Sequence, residues 1–361
     1  VSNGLAGSSD APPELPWPAN GSAAVAVAGV DAIGATKNQK PQPIASLVKV
    51  MTAYVVLKDH PLSRGQPGPE VEFTQAHVQN FQARRANVES VVAVTAGGRM
   101  TQRDLLRGLM LASANNLADV LAEWNSGSVE AFVGRMNAEA AALGMTNTHY
   151  ADAAGLDAAS VSTANDQLIL ANAAMANDTF ASLVAEVQAT LPVAGVVYNT
   201  NALLGDDGIA GVKTGWTEDA GACFMFAATW QVEERPVTVI GVVLGQDTLA
   251  DAFRSARQLI PAAGSSLRLL RVGAAGDPIG SVVSDWGPTA VASLGEAAEL
   301  VLLPGMQVNT SFELAQETSV KDGSELGTVK LSAGDQVIEV PLKASGSISG
   351  PGLLWRLSRL P

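Results

Sequence analysis

One cysteine, Cys223, stands in the 361 residues, so no intrachain disulfide is available and the redox compartment cannot be read from bridges. On its apolar stretch it reads as a small core residue. The three histidines, His60, His77 and His149, are scattered without ligand spacing, which gives no metal site. Basic residues are scarce. The 22 Lys and Arg against 35 Asp and Glu leave a net charge of −13, which argues against nucleic acid or another polyanion as partner. No run of 18 apolar residues occurs, so nothing reads as a membrane-spanning helix. A signal peptide is also missing, but the chain starts at Val1 rather than methionine, which fits a processed or trimmed product and allows a removed export signal, so the absence is uninformative. No repeat of fixed period suggests a solenoid.

Apolar residues are plentiful. They make up 47% of the chain against 16% charged, the balance of a globular protein long enough for about two domains with ample cores. Residues 1–22 are rich in Pro, Gly, Ser and Asn and read as a flexible leader. Residues 23–264 mix strands and helices. From 265 to 361 short strands are separated by Gly, Pro and Asp turns, the pattern of a small all-β domain.

The most reactive groups of the first region lie in Pro43-Ile44-Ala45-Ser46-Leu47-Val48-Lys49-Val50-Met51. From Leu47 to Leu57 almost every position is apolar, so this helix is expected to be buried on all sides. Ser46 and Lys49 are three apart and share one helical face. Two readings fit. A buried lysine loses its proton easily, and a neutral amine beside a hydroxyl makes a nucleophile. Alternatively the lysine snorkels to water and the serine is an N-cap.

Downstream, Ser90–Thr95 is expected to be a strand. A capping-box-like start at Thr101 opens a helix that breaks at Ala112-Ser113-Ala114-Asn115 and then resumes. Ser128 and Gly144 bracket another helix, and Thr163 to Met175 forms the next. Val212-Lys213-Thr214-Gly215-Trp216 leads into two apolar runs joined by Glu233-Glu234-Arg235-Pro236, an antiparallel hairpin in the middle of a sheet. A helix near Ala250–Ile260 closes the region.

Ser46-x-x-Lys49, Ser113-x-Asn115 and Lys213-Thr214-Gly215 thus occur in one order on a helix start, an inter-helix turn and a strand. This motif set, together with Gly155-Leu156-Asp157 and Asn199-Thr200-Asn201, resembles the serine D-alanyl-D-alanine carboxypeptidases, the low-molecular-mass penicillin-binding proteins. The resemblance covers about residues 23–262. It implies an α/β catalytic domain of the penicillin-binding/β-lactamase type, a five-stranded antiparallel sheet flanked by helices, followed here by the small all-β domain. It also implies export to the outside of the cytoplasmic membrane and hydrolysis of the terminal D-alanine of peptidoglycan stem peptides, without a cofactor or metal.

By the same resemblance Ser46 is the nucleophile and Lys49 its base, and Ser113 with Lys213 relays a proton to the leaving amine. Asn115 holds the substrate amide, Thr214 binds the terminal carboxylate, and Gly215 lets substrate lie along the strand edge. The backbone N–H groups of Ser46 and Trp216 form the oxyanion hole. β-Lactams are expected inhibitors. Trp216 departs from the family pattern, which more often has a smaller residue or histidine there. The family's carboxylate-binding arginine has its nearest candidate in Arg254. Other readings on the same fold are a β-lactamase or esterase, an endopeptidase or a transpeptidase; one of another class is a non-catalytic wall-binding scaffold. The mix of Leu, Trp and Arg in residues 353–360 suggests contact with a membrane surface.

Overall fold

The computed structural model describes residues 13–315, 319–353 and 355. The chain forms two compact units, one comprising 14–28 and 32–265 and the other centred on the residues from Ser266 onward. The larger is built on a five-stranded sheet in the order Asp31–Ala35, Ser22–Val27, Arg235–Gln246, Gly221–Val232, Ile209–Thr217. The three central strands are apolar almost without interruption, because both faces of the sheet are covered.

Alternate residues along those strands serve opposite layers. Ala24, Ala26, Met225, Ala227, Ile240 and Val242 join one core with the helices that precede the sheet hairpin. Ala23, Val25, Phe224, Phe226, Val239 and Val243 join a second core with Ala252, Ala256, Leu259 and Ile260 of the closing helix Leu249–Ser265. This period of two is the direct consequence of strand geometry.

The helices of the first layer begin where the sequence supplies a cap. Thr101, Ser128 and Thr163 each accept a backbone N–H from the residue three positions on, opening Gln102–Met110, Val129–Ala142 and Ala164–Met175. Each such cap stabilises its helix by about 1 kcal/mol. Helix Val48–Asp59 has no side-chain cap and is held by burial: nine of its twelve residues are buried, as its all-round apolar sequence requires.

The expectation of a strand at Ser90–Thr95 is not met. The segment joins no strand, and Val92 pairs with a side chain instead: the Val92 N–H donates to Asn116 Oδ1 at 3.0 Å, and Asn116 Nδ2 donates to the Val92 carbonyl at 2.9 Å. One amide therefore replaces a ladder partner.

The second unit is β-rich. A five-stranded sheet in the order Pro278–Val283, Thr289–Leu294, Gln336–Ser345, Glu325–Ala333, Asn309–Leu314 is accompanied by the pair Arg268–Gly273 and Ala298–Leu302. Leu294, Leu300, Val329, Leu331 and Leu342 form its core. Most of the 353–360 segment expected at a membrane surface lies outside the described residues. Among the described residues no helix is long and apolar enough to cross a membrane.

Candidate active site

Ser46 lies in a single 3-10 turn, Ala45–Leu47, that leads directly into helix Val48–Asp59. It is only partly buried, whereas Lys49 is fully buried. The Lys49 Nζ donates to Ser46 Oγ at 2.8 Å and to the carbonyl oxygen of Ala154 at 2.6 Å. Both the snorkelling lysine and the capping serine are thereby excluded. Lys49 has no exposure, and the residues preceding the two helices as caps are Ile44 and Leu47.

Burial holds the Lys49 amine well below its ordinary pKa, and the nearby Lys213 ammonium and Arg84 guanidinium push it lower, against the opposing pull of Asp152 and Asp119. Burial alone lowers Lys213 to about 7. Its Nζ donates to the Thr214 carbonyl at 2.9 Å. Two desolvated amines in one site give a base beside the hydroxyl and a second proton carrier whose charge changes near neutrality.

The backbone around Ser46 is tightly enclosed. Gly155 has φ +83°, and a Cβ there would lie 1.9 Å from the Ala45 oxygen and 3.1 Å from the Ser46 nitrogen. A Cβ on Gly215 would lie 2.9 Å from the same nitrogen. Glycine is needed at both positions so that two other backbone segments can approach the backbone of Ser46. Ala45 and Ser113 both take positive φ, 47° and 58°, in the region that non-glycine residues seldom occupy. Such strain costs about 1–3 kcal/mol per residue and clusters at functional sites.

The loop carrying Ala154 is organised by Asp152. Its Oδ2 accepts the N–H groups of Gly155 and Leu156, each at 2.8 Å, and its Oδ1 accepts the Ser160 hydroxyl at 2.7 Å. Thr52 Oγ1 donates to the Ala153 carbonyl at 2.7 Å, so the loop is bonded to helix Val48–Asp59 at two successive carbonyls.

Ser113 sits between helices Gln102–Met110 and Asn115–Ser126. Asn115 is the first residue of the second, 3% exposed, and its Nδ2 donates to Glu89 Oε2 at 3.0 Å. Strand Ile209–Thr217 is the edge of the main sheet, and Lys213, Thr214 and Gly215 are buried along it. Thr214 Oγ1 shares a 2.9 Å hydrogen bond with Thr200 Oγ1, whose N–H is fixed to the Leu111 carbonyl at 3.0 Å. Trp216 is 56% exposed at the end of the run. Arg254 is also largely exposed, and its guanidinium is engaged with Asp251 at 2.6 Å.

Sequence reasoning did not single out Glu89, Arg84, Asp152 or Thr200 for these contacts. Only Thr200 carried a signal, inside Asn199-Thr200-Asn201. The others, Glu89 and Asp152 on loops and Arg84 in the last turn of helix Gln75–Ala86, reach the motifs only through the tertiary structure.

Comparison with known proteins agrees with this geometry. Residues 22–248 match the family model described as D-alanyl-D-alanine carboxypeptidase. A D-alanyl-D-alanine carboxypeptidase of Mycobacterium tuberculosis is 37% identical over 193 residues, which are 52% of this chain and 62% of that protein. One from Streptomyces is 35% identical over 221 residues, covering 56% of this chain and 72% of the relative. Among solved structures, penicillin binding protein 5 of Haemophilus influenzae superposes with a TM-score of 0.65 at 23% identity, over 94% of this chain and 99% of that one, a likeness of fold that takes in the β-rich C-terminal part. The family match spans well over half of the chain, including the serine–lysine pair and the edge strand that faces it: the chain belongs to the D-alanyl-D-alanine carboxypeptidase family.

Proposed function

We propose that the protein is a serine DD-carboxypeptidase that removes the terminal D-alanine from peptidoglycan stem peptides through an acyl-enzyme on Ser46. The observation that carries this reading is the 2.8 Å contact between Ser46 Oγ and a fully buried Lys49 amine held well below its ordinary pKa. In the first step neutral Lys49 takes the hydroxyl proton while Ser46 Oγ attacks the carbonyl between the two D-alanines. The N–H groups of Ser46 and Trp216 stabilise the oxyanion. Ser113 and Lys213 pass a proton to the leaving amine, D-alanine departs, and water then cleaves the ester. Asn115 holds the substrate amide, and Thr214 binds the terminal carboxylate along the strand edge at Gly215.

The substrate lies outside the cytoplasm, so the mature protein acts there, and β-lactams are inhibitors because they present a similar acyl group. Residues 23–264 form the catalytic domain in this reading and 265–361 a separate β-rich domain. Membrane-surface contact through residues 353–360 is supported by their Leu, Trp and Arg content and by Leu353, 75% exposed. Incubation with a peptide ending in D-Ala-D-Ala tests the central claim. D-Alanine release by the protein and none by Ser46→Ala is expected, and absence of release and of penicillin acylation in the wild type would overturn it. Sedimentation of the full chain with lipid vesicles tests the membrane contact.

A further inference from the structure

Helix Gln75–Ala86 ends in a turn that throws two neighbouring side chains in opposite directions. Val88, a β-branched residue at φ 60°, is 92% exposed, while the next side chain, Glu89, is only 17% exposed. A β-branched residue in the left-handed region is an outlier retained only where the surroundings enforce it. Here the turn delivers a carboxylate to Asn115. Glu89 Oε2 accepts from Asn115 Nδ2 at 3.0 Å and from Arg84 Nη1 at 2.7 Å. Arg84 is fixed in turn by Asp119, whose Oδ2 lies 3.0 Å from Nε and 2.6 Å from Nη2, and by Asn80 Oδ1 at 3.0 Å.

We propose that Glu89 is a positioning residue for the reaction, locking the orientation of the Asn115 side-chain amide. An ionised carboxylate only accepts hydrogen bonds, so the NH₂ end of the amide must face it. A flipped amide would set its oxygen against the carboxylate oxygen. With one N–H held by Glu89, the second N–H and Oδ1 of Asn115 keep fixed places, and the amide is preorganised for the acyl-side amide of a substrate instead of being ordered on binding. The bond is charge-assisted and partly buried, both of which strengthen it. Arg84 holds the carboxylate in place and, through its charge, also helps keep Lys49 deprotonated. This proposal rests on the reading that Ser46 is acylated and that Asn115 holds the substrate amide.

The test compares two β-lactams: benzylpenicillin, which carries an acylated amide beside the ring, and 6-aminopenicillanic acid, which has a free amine there. Glu89→Ala is expected to slow acylation of Ser46 by benzylpenicillin about 10- to 100-fold, the range for losing a hydrogen bond to a charged group. Acylation by 6-aminopenicillanic acid is expected to change by less than about twofold, since Asn115 has no such amide to hold. Glu89→Gln, which keeps an acceptor oxygen, is expected to recover part of the loss. Because Glu89 acts through Asn115, the double variant Glu89→Ala/Asn115→Ala is expected to be no slower than Asn115→Ala alone. Equal slowing with both lactams, a further loss in the double variant, or wild-type rates in Glu89→Ala would each overturn the proposal. If Glu89→Ala does not fold, the side-chain NH₂ resonances of Asn115 in Glu89→Gln decide: a shift with faster hydrogen exchange supports the lock, and unchanged signals refute it. A wild-type protein that neither lactam acylates would refute the Ser46 reading instead, and the resonance comparison would still judge the Glu89–Asn115 contact.

Discussion

The amine of Lys49 bridges Ser46, three residues before it, and the carbonyl of Ala154, 105 residues after it. The first contact follows from local helical geometry; the second ties helix Val48–Asp59 to a distant loop and fixes the direction in which the amine points. A fully buried lysine with both neighbours set is already oriented toward the hydroxyl, as a base needs to be.

Replacing Lys49 by arginine is expected to lower kcat/KM by about 10²–10⁴-fold, because a guanidinium keeps its proton and cannot accept that of Ser46. Steady-state release of D-alanine, with circular dichroism to confirm folding, measures this. Turnover near the wild-type level would remove Lys49 from its role.

The pH profile should fall on the acid side. Lys49 has a lowered pKa, so its neutral form persists above that pKa and is lost as pH drops through it, taking the base with it. The acid limb of kcat/KM should therefore lie far below the ordinary lysine range. An acid limb near pH 10 would contradict the burial argument.

Lys213 should make the protein less stable at neutral pH than an apolar residue of its size. The folded state releases the proton above about 7, whereas the unfolded chain keeps it to 10.5, so between these values the unfolded state binds more protons and stability rises with pH. At pH 7 the penalty is on the order of 5 kcal/mol, from the conversion of a pKa shift to free energy. Lys213→Met is thus expected to raise the urea midpoint at pH 7, with a gain that shrinks toward pH 10, and to impair D-alanine release. A gain that does not vary with pH would show that burial of the amine is not its source.

Gly155→Ala should disable the site without touching a reactive group. The added Cβ meets the Ala45 carbonyl, and the positive φ adds roughly 1–2 kcal/mol of backbone strain. The expected result is a lower melting temperature and acylation slowed at least as much as stability is reduced. Unimpaired acylation would mean that the loop is not needed to hold the Ser46 backbone.

Penicillin should leave a long-lived adduct on Ser46. The loop from Thr146 to Asp166 has no glutamate of the kind that activates deacylating water in class A β-lactamases. Its acids are occupied: Asp152 and Asp157 accept backbone N–H groups of their own loop, and Asp166 accepts the Asn147 N–H and the Thr148 hydroxyl. Glu89, which enters from elsewhere in the chain, is paired with Arg84. Intact-protein mass spectrometry should show the added mass persisting, absent in Ser46→Ala. Rapid return to the unmodified mass while penicillin is consumed would make the protein a β-lactamase.

Local pattern alone decided much of this protein. The unbroken apolar run after Ser46 required a buried helix, the two runs flanking Glu233–Pro236 required a central hairpin, and the composition after Ser266 required a β-rich unit, because each depends on residues close in sequence. Ser46, Lys49, Ser113, Asn115 and Lys213-Thr214-Gly215 were legible as motifs for the same reason. Tertiary structure decided the rest. The segment at Ser90–Thr95 looked like a strand because its side chains suit one, yet the backbone of Val92 bonds to the side chain of Asn116, a partner that periodicity does not reveal. The supports of the site, Ala154 and Asp152 behind Lys49, Glu89 behind Asn115 and Thr200 behind Thr214, are single groups on loops, and Arg84 behind Glu89 comes from the last turn of a helix. A hydrogen bond between loops depends on where the cores place them in space, and that information is spread over the whole chain.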